Sequence, residues 1–344
     1  MHLLGKKFIN PHDYDMSVFE KIEISQSYGF LNRVSNKLFN LNIFDIESCF
    51  RLIKLLKRNS YKAIHAHFGT NAVDILPFAK LFNIPLIVSF HGADASRMLD
   101  KEHYVAKLPA LFEYAVAITI SSRHMADNLK LDKWKEKVSL IPYGVNPSFF
   151  NVNSGKKEKG KIQILHAGRI VGKKGVPDLI KVFNELTQQY NNIELHVAGD
   201  GEELSQCQEL VDKFELDSKV IFYGNVTHEK IKELMNEADI FVLNSRIDEN
   251  GDMEGTPNTI LEAMCMGKAV LSTRHAGIPY VIEHNKNGLL ANEKSNQELK
   301  ANLQRLINNP DLREELGVKA RETILESYTI DVMKDKIKAV FKQV

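Results

Sequence analysis

Two stretches in the second half of the chain carry residue types that could hold a phosphorylated sugar. In the first, ILHAGRIVGKKGVPDLI at 164–180, Gly168 and Arg169 close a β-branched run, and Lys173 and Lys174 sit between two glycines. Glycine lets backbone approach a ligand closely. Two fixed cations beside a helix start, whose first turn Pro177 suits, fit a diphosphate. The pattern GxxxxGK[ST] is absent, and a solvated basic turn would read the same way. In the second stretch, 244–270, Glu254 and Glu262 flank a helix start at which Thr256 reads as the N-cap and Pro257 as the first residue. Backbone amides over 257–259 make a second anion site. Carboxylates beside it would repel a bare phosphate but suit hydroxyls attached to one, on a sugar or a ribose. Taken alone, the two glutamates equally describe a capped surface helix.

Weaker signals surround these two. His91 and Gly92 end the run IVSF, with Asp94 following, and a histidine at a strand's end is placed to face a cleft. His65 and His67 alternate on one strand, without the carboxylate or third histidine that a metal site needs. AGDG at 198–201 turns after a strand, and Thr227 reads as a helix cap in YGNVTHEKI, where backbone groups could meet a flat base.

The elements that must position these residues alternate along the chain. Strands are expected at 61–68, 85–90, 115–121 and 138–144, then at 161–168, 193–201, 219–226, 238–245 and 268–274. Helical patterns at 47–59, 177–190, 202–214, 228–237, 257–266 and 297–308 lie between them. Apolar strands alternating with amphipathic helices predict parallel sheets covered on both faces. The fold class is therefore α/β, with two Rossmann-like lobes and a cleft between them. Residues 1–150 form the first lobe, 151–161 a polar linker, 162–325 the second lobe, and 326–344 a helix that packs back across both. In such sheets ligands bind beyond the carboxyl ends of the strands, which is where the candidate loops fall.

Composition narrows the class. The 344 residues are 44% hydrophobic and 26% charged, which excludes disorder on compositional grounds. No apolar run approaches the roughly 20 residues of a spanning helix. The opening HLLGKKFINPHD lacks the layout of a signal peptide, and three scattered cysteines suit a reducing compartment, so a cytoplasmic protein is expected. Residues 1–150 hold 19 Lys and Arg against 14 Asp and Glu, and the remainder 26 against 30. The basic half could touch anionic lipid at a membrane surface, or the imbalance could be ordinary surface scatter.

With the loops in order, the second half closely resembles the family 4 glycosyltransferases of GT-B fold. The resemblance rests on HAGR…KKG (166–175), AGDG (198–201), YGNV (223–226), EGTPNTILEAM (254–264) and STRHAGIPYVI (272–282). HAHFG (65–69), SFHGAD (89–94) and IPYGV (141–145) match more loosely, and the tone is that of bacterial exopolysaccharide or lipopolysaccharide enzymes. It implies a retaining enzyme that moves a sugar from a UDP- or GDP-linked donor to a glycan or lipid-linked acceptor. No metal, other cofactor or nucleic acid is expected. Arg169 and Lys174, beside Gly168, would neutralise the diphosphate, Glu262 would hold the ribose, and Val226 would lie near the base. Glu254, with the backbone of Gly255, Thr256, Pro257, Asn258 and Thr259, would position the transferred sugar. His91, with Gly92 and Asp94 on the acceptor side, would face that sugar. The catalytic set is then Glu254, His91, Arg169 and Lys174. The family opens with a strand and a Gly-rich loop that MHLLGKKFINPHDYDMSVFEK lacks, so a shortened first lobe is expected. A nucleotide-sugar epimerase on the same fold and a weakly active donor-binding subunit stay open as alternatives.

Overall fold

The computed structural model describes residues 2–5, 20–23, 46–151 and 160–343. Two short strands, β1 (His2–Gly5) and β2 (Glu20–Glu23), pair in parallel as a separate two-stranded sheet. The sequence pattern shows no strand before residue 61, because four-residue strands of mixed polarity carry no readable period. Residues 6–19, where the family's Gly-rich loop would fall, lie outside the described residues, as does 152–159 of the expected linker.

The first lobe is a parallel sheet of β3 (Ile64–His67), β4 (Leu86–Phe90), β5 (Ala117–Ile120) and β6 (Val138–Leu140), in that order. Helices α1 (Ile46–Arg58), α2 (Gly69–Leu81), α3 (Glu102–Val105), α4 (Leu108–Tyr114) and α5 (His124–Asn128) accompany it. β4 is buried at all five positions, as a central strand covered on both faces must be. Leu86, Val88 and Phe90 share one core with Phe78, Leu111 and Phe112. Ile87 points the other way.

The second lobe holds six parallel strands: β7 (Ile162–Ala167), β8 (Ile193–Ala198), β9 (Val220–Gly224), β10 (Ile240–Val242), β11 (Ala269–Thr273) and β12 (Leu289–Ala291). Their order is β9-β8-β7-β10-β11-β12. β12 escaped the sequence pattern because three apolar residues between polar turns look like a loop. Helices α6 (Val176–Thr187), α7 (Leu204–Lys213), α8 (His228–Glu237), α9 (Asn258–Cys265) and α10 (Asn296–Asn308) alternate with the strands. The period-2 pleat divides the core. Ile164, Leu195, Val242 and Leu271 pack with Leu179 and Phe183 of α6, whereas Leu165, Phe241 and Val270 pack with Ile260 and Met264 of α9. Each such Leu or Phe contributes about 1.5–3 kcal/mol by leaving water.

The chain's last helices are α11 (Pro310–Ser327) and α12 (Ile330–Phe341), and the second falls within the expected helix over 326–344. The break falls at Thr329, whose side chain caps α12 by accepting from the Val332 amide. Here the backbone pairs with the end of the first lobe: Val145 N–H donates to Tyr328 O, and Ile330 N–H to Val145 O, each at 2.9 Å. A Cβ at neighbouring Gly144 would stand 2.6 Å from Thr329 O, so only glycine permits the approach. α12 then lays Val340 against Ile87 and Ala117 of β4 and β5.

Candidate active site

Strand order in the second sheet reverses between β7 and β10. The loops leaving these two strands diverge and open a crevice, which is where open α/β sheets bind ligands. Both main candidate stretches leave from this point. After β7 the chain passes Gly168 and Arg169, makes a 3-10 turn over Gly172–Lys174, and enters α6 through Gly175. Gly175 is left-handed (φ 59°), and a Cβ there would lie 2.5 Å from Asn244 O. Asn244, just beyond β10, donates from Nδ2 to Gly175 O at 3.1 Å. Arg246 adds three more ties: its amide donates to Lys173 O and its Nε to Gly172 O, both at 2.9 Å, and its guanidinium pairs with Asp178. The acidic loop therefore begins by wrapping the basic one.

That wrapping brings opposite charges together. Lys174 Nζ lies 2.9 Å from Glu254 Oε1, and Lys173 Nζ lies 2.9 Å from Asp252 and 4.0 Å from Glu254. The Lys174 and Glu254 side chains are only 10% and 12% exposed. Burial pulls the Lys174 pKa down, and the Glu254 carboxylate opposes that shift. Among the described residues, Glu254 Oε1 has no polar partner besides these ammonium groups. The sequence presents cations and acids as two separate arms; the structure joins the arms. Arg169 is exposed, and among the described residues it carries no such pair.

α9 starts one residue later than the pattern suggests. Pro257 occupies the N-cap position (φ −63°, ψ 125°), no side chain caps the helix, and the expected Thr256 cap is not formed. Proline cannot donate, so of the expected amides at 257–259 only those of Asn258 and Thr259 can serve an anion. A cleft of about 300 Å³ lies in front of them. Gly168, Arg169 and Lys174 form one side and Glu254 through Thr259 another, while His91 and Tyr143 face them from the first lobe.

The first-lobe wall is a chain of neutral groups. His91 follows β4 and hydrogen bonds through both ring nitrogens, Nδ1 with Tyr143 OH at 2.9 Å and Nε2 with His67 Nδ1 at 3.0 Å. His65 Nε2 meets Ser89 Oγ at 2.7 Å, and Ser89 meets Thr119 at 2.6 Å. Burial lowers the pKa of His67 and His91, and with its two neighbours it brings His65 down to about 4. Asp94, grouped by sequence with the acceptor side, is buried and turned inward. Its carboxylate accepts from the amides of Gly69, His91 and Gly92 at 2.8–3.0 Å, so it shapes the turn behind His91 rather than the cleft. Gly92 is also buried, with a Cβ position 4.0 Å from Gly255 N.

Glu262 and Val226 do not line the cleft. Glu262 lies deeper along α9, where burial raises its pKa and His228, the first residue of α8, partly offsets the rise. Val226 stands two residues before His228 and packs against the core that includes Ile260 and Met264.

Several contributors were not singled out from sequence. Tyr143 completes the His91 chain, and the rule that selects strand ends would have found it at the end of the 138–144 run. Ser121 Oγ and Met125 Cε lie 3.3 and 3.1 Å from a Cβ placed on Gly255, so the Glu254–Gly255 loop rests directly on the first lobe. His275 and Glu293 stand behind Glu254: its amide donates to His275 Nε2 at 3.0 Å, and His275 Nδ1 lies 2.7 Å from Glu293 Oε1.

Comparison with known proteins follows the lobes. The family model described as glycosyl transferases group 1 matches residues 149–323, and that of glycosyltransferase family 4 matches 19–149. The amylovoran biosynthesis glycosyltransferase AmsK of Erwinia amylovora is 34% identical over 244 residues, 71% of this chain and 60% of that protein. The putative colanic acid biosynthesis glycosyltransferase WcaL of Escherichia coli K12 is 29% identical over 237 residues, 68% of this chain and 58% of that one. The chain thus spans about 60% of the length of these curated relatives. Among solved structures, Anabaena Alr3699/HepE in complex with UDP and glucose aligns with a TM-score of 0.77 at 17% identity, covering 95% of this chain and 86% of that one. A glycosyltransferase from Rickettsia africae ESF-5 aligns with the same TM-score at 18% identity, covering 99% and 89%. At such identities the likeness is one of fold.

Proposed function

This chain belongs to the glycosyl transferases group 1, and from that premise we propose that it is a retaining, metal-independent glycosyltransferase acting on a nucleotide sugar. The acceptor is a glycan or lipid-linked sugar of bacterial surface polysaccharide. The observation that carries the reading is the buried Lys174–Glu254 pair at the sheet's switch point, facing His91 across the cleft. Names of relatives tied to amylovoran and colanic acid biosynthesis support the acceptor class, and a like-folded protein holding UDP and glucose supports the donor class.

The chemistry follows from the charges. Breaking the anomeric C–O bond sends its electron pair to the diphosphate and leaves oxocarbenium character on the sugar. Arg169, Lys174 and the amides of Asn258 and Thr259 stabilise the departing charge without a metal ion. Glu254 and the backbone of Gly255 hold the sugar hydroxyls. The acceptor hydroxyl attacks the same face, its oxygen bonds to the anomeric carbon, and its proton passes to the departing phosphate oxygen. Glu262 and Val226 lie outside the cleft proper, so the nucleoside would extend past it along α9, with Glu262 taking the ribose and Val226 flanking the uracil or guanine. His91 orients rather than accepts protons, since both its nitrogens are engaged.

Among the described residues no helix is long and apolar enough to cross a membrane. Phe50, Lys54, Lys57 and Arg58 are exposed on α1 of the basic lobe, which supports peripheral contact of a cytoplasmic enzyme with anionic lipid.

A thermal-shift screen of UDP- and GDP-sugars tests the proposal. A donor at a hundred times its dissociation constant stabilises by about 2.7 kcal/mol, and Arg169→Ala or Glu262→Ala removes the shift. Transfer persists in EDTA, and NMR of the product shows the donor's anomeric configuration. Absence of a shift with every nucleotide sugar contradicts the reading. Epimerisation of the donor without acceptor points to the epimerase alternative. Binding without release of nucleotide to any lipid-linked acceptor points to the weakly active subunit.

A further inference from the structure

Glu254 is held from behind by residues that touch no part of the cleft. β11 and β12 are adjacent parallel strands, and beyond their carboxyl ends His275 and Glu293 meet. His275 has no exposed surface. Its Nε2 accepts from the Glu254 amide, and because a backbone N–H can only donate, Nε2 carries no proton. The proton of the neutral ring therefore sits on Nδ1 and is donated to Glu293 Oε1. The other carboxylate oxygen, Oε2, accepts from the Ile247 amide at 2.9 Å. Gly277 N–H closes the grip by donating to Gly255 O at 3.1 Å. One carboxylate thus holds the acidic loop at Ile247 directly and at Glu254 through the imidazole.

We infer that Glu293 and His275 are positioning residues that fix the Glu254 backbone, and through it the carboxylate offered to the transferred sugar. The role of Glu254 rests on the proposed function; the brace itself does not. Glu293→Gln breaks the arrangement, since glutamine turns one of the two accepting oxygens into an NH2 that meets the His275 or the Ile247 donor and removes the charge. His275→Phe removes both bonds, and His275→Gln restores an acceptor for the Glu254 amide.

Two measurements on the full chain separate the questions. Hydrogen exchange of the Glu254 amide, which needs no substrate, should be about tenfold or more faster in His275→Phe and Glu293→Gln than in the wild type, and near wild type in His275→Gln. In transfer assays the first two variants should lose kcat by about 10- to 100-fold, with donor KM within about threefold, and His275→Gln should recover most of the loss. Glu293 is 24% exposed, so Glu293→Gln still decides the matter should His275→Phe fail to fold. Unchanged Glu254 exchange in Glu293→Gln overturns the brace, as does equal loss of kcat in His275→Phe and His275→Gln. A wild type that exchanges as expected but transfers no sugar leaves the brace standing and removes the proposed function.

Discussion

The two walls of the cleft solve their electrostatics in opposite ways. The second-lobe wall is ionic: Lys173, Lys174, Asp252 and Glu254 are gathered, largely buried, within 4.0 Å of one another in pairs, with exposed Arg169 beside them. The first-lobe wall is neutral: His67, His91 and Tyr143 are linked by hydrogen bonds, the His65 ring packs on His67, and burial holds all three histidines below their ordinary pKa. The difference matches what each wall would meet in the proposed reaction. A departing diphosphate needs fixed cations. A sugar with oxocarbenium character would be repelled by an imidazolium, so a neutral wall suits it.

Removing a cation from the ionic wall should have the largest effect. Lys174→Met leaves the Glu254 carboxylate buried with only Lys173 at 4.0 Å, and should cost about 3–5 kcal/mol in urea denaturation and abolish donor binding. A loss near 1 kcal/mol would mean that the pair is effectively solvated, and the contrast between the walls would shrink.

Acid should attack the neutral wall next. The folded-state pKa values of His65, His67 and His91 are depressed, so between their ordinary value of 6.5 and about 4 for His65 the unfolded chain binds more protons. Stability present above pH 6.5 is therefore lost as pH falls through that window. Denaturation at pH 7, 5.5 and 4.5 should show the fall, and His65→Gln should make it shallower, with the shares of His67, His91 and His124, the last also brought down to about 4 by burial, remaining. Buried His166 in the second lobe, held at about 3 by desolvation and by Lys174, adds a share that this variant leaves in place.

Tyr143→Phe probes the same wall more gently. It removes one partner of His91, and should cost about 1 kcal/mol of stability and a severalfold loss of turnover, with nucleotide affinity unchanged. Weakened nucleotide binding in this variant would show that the walls do not divide the substrate as described. The smallest effects concern two threonines. Thr227 accepts from the Lys230 amide and Thr227→Ala should cost about 1 kcal/mol, whereas Thr256 caps nothing and Thr256→Ala should cost less of the helix's stability than such a cap.

The ionic wall was largely legible in the amino-acid sequence; of the neutral wall only His91 was, as a histidine at a strand's end, and the links that join it to its neighbours were not. Gly168 to Lys174 and Glu254 to Thr259 are continuous runs, so their spacing carries the site. His67, His91, Ser121 and Tyr143 come from the ends of four strands, and no local pattern links them. Even in the legible half, pairing was hidden: nothing in the spacing of Lys174 and Glu254 says that Asn244 and Arg246 will fold one loop over the other. The Thr256 cap failed for a local reason, since Pro257 in extended conformation cannot be a helix's first residue and takes the cap position itself. No sequence pattern marks His275, because a histidine's role depends on which groups its two nitrogens reach, and Glu293 is remote in sequence and near in space only because β11 and β12 are neighbours.

The most direct test of the divided cleft is acceptor-dependent release of nucleoside diphosphate by the wild type and by Glu254→Gln, with nucleoside diphosphate affinity measured alongside. Release is expected only when an acceptor is present, with a loss of about 100-fold or more in Glu254→Gln and affinity within about threefold. Turnover by Glu254→Gln at the wild-type rate would contradict this division.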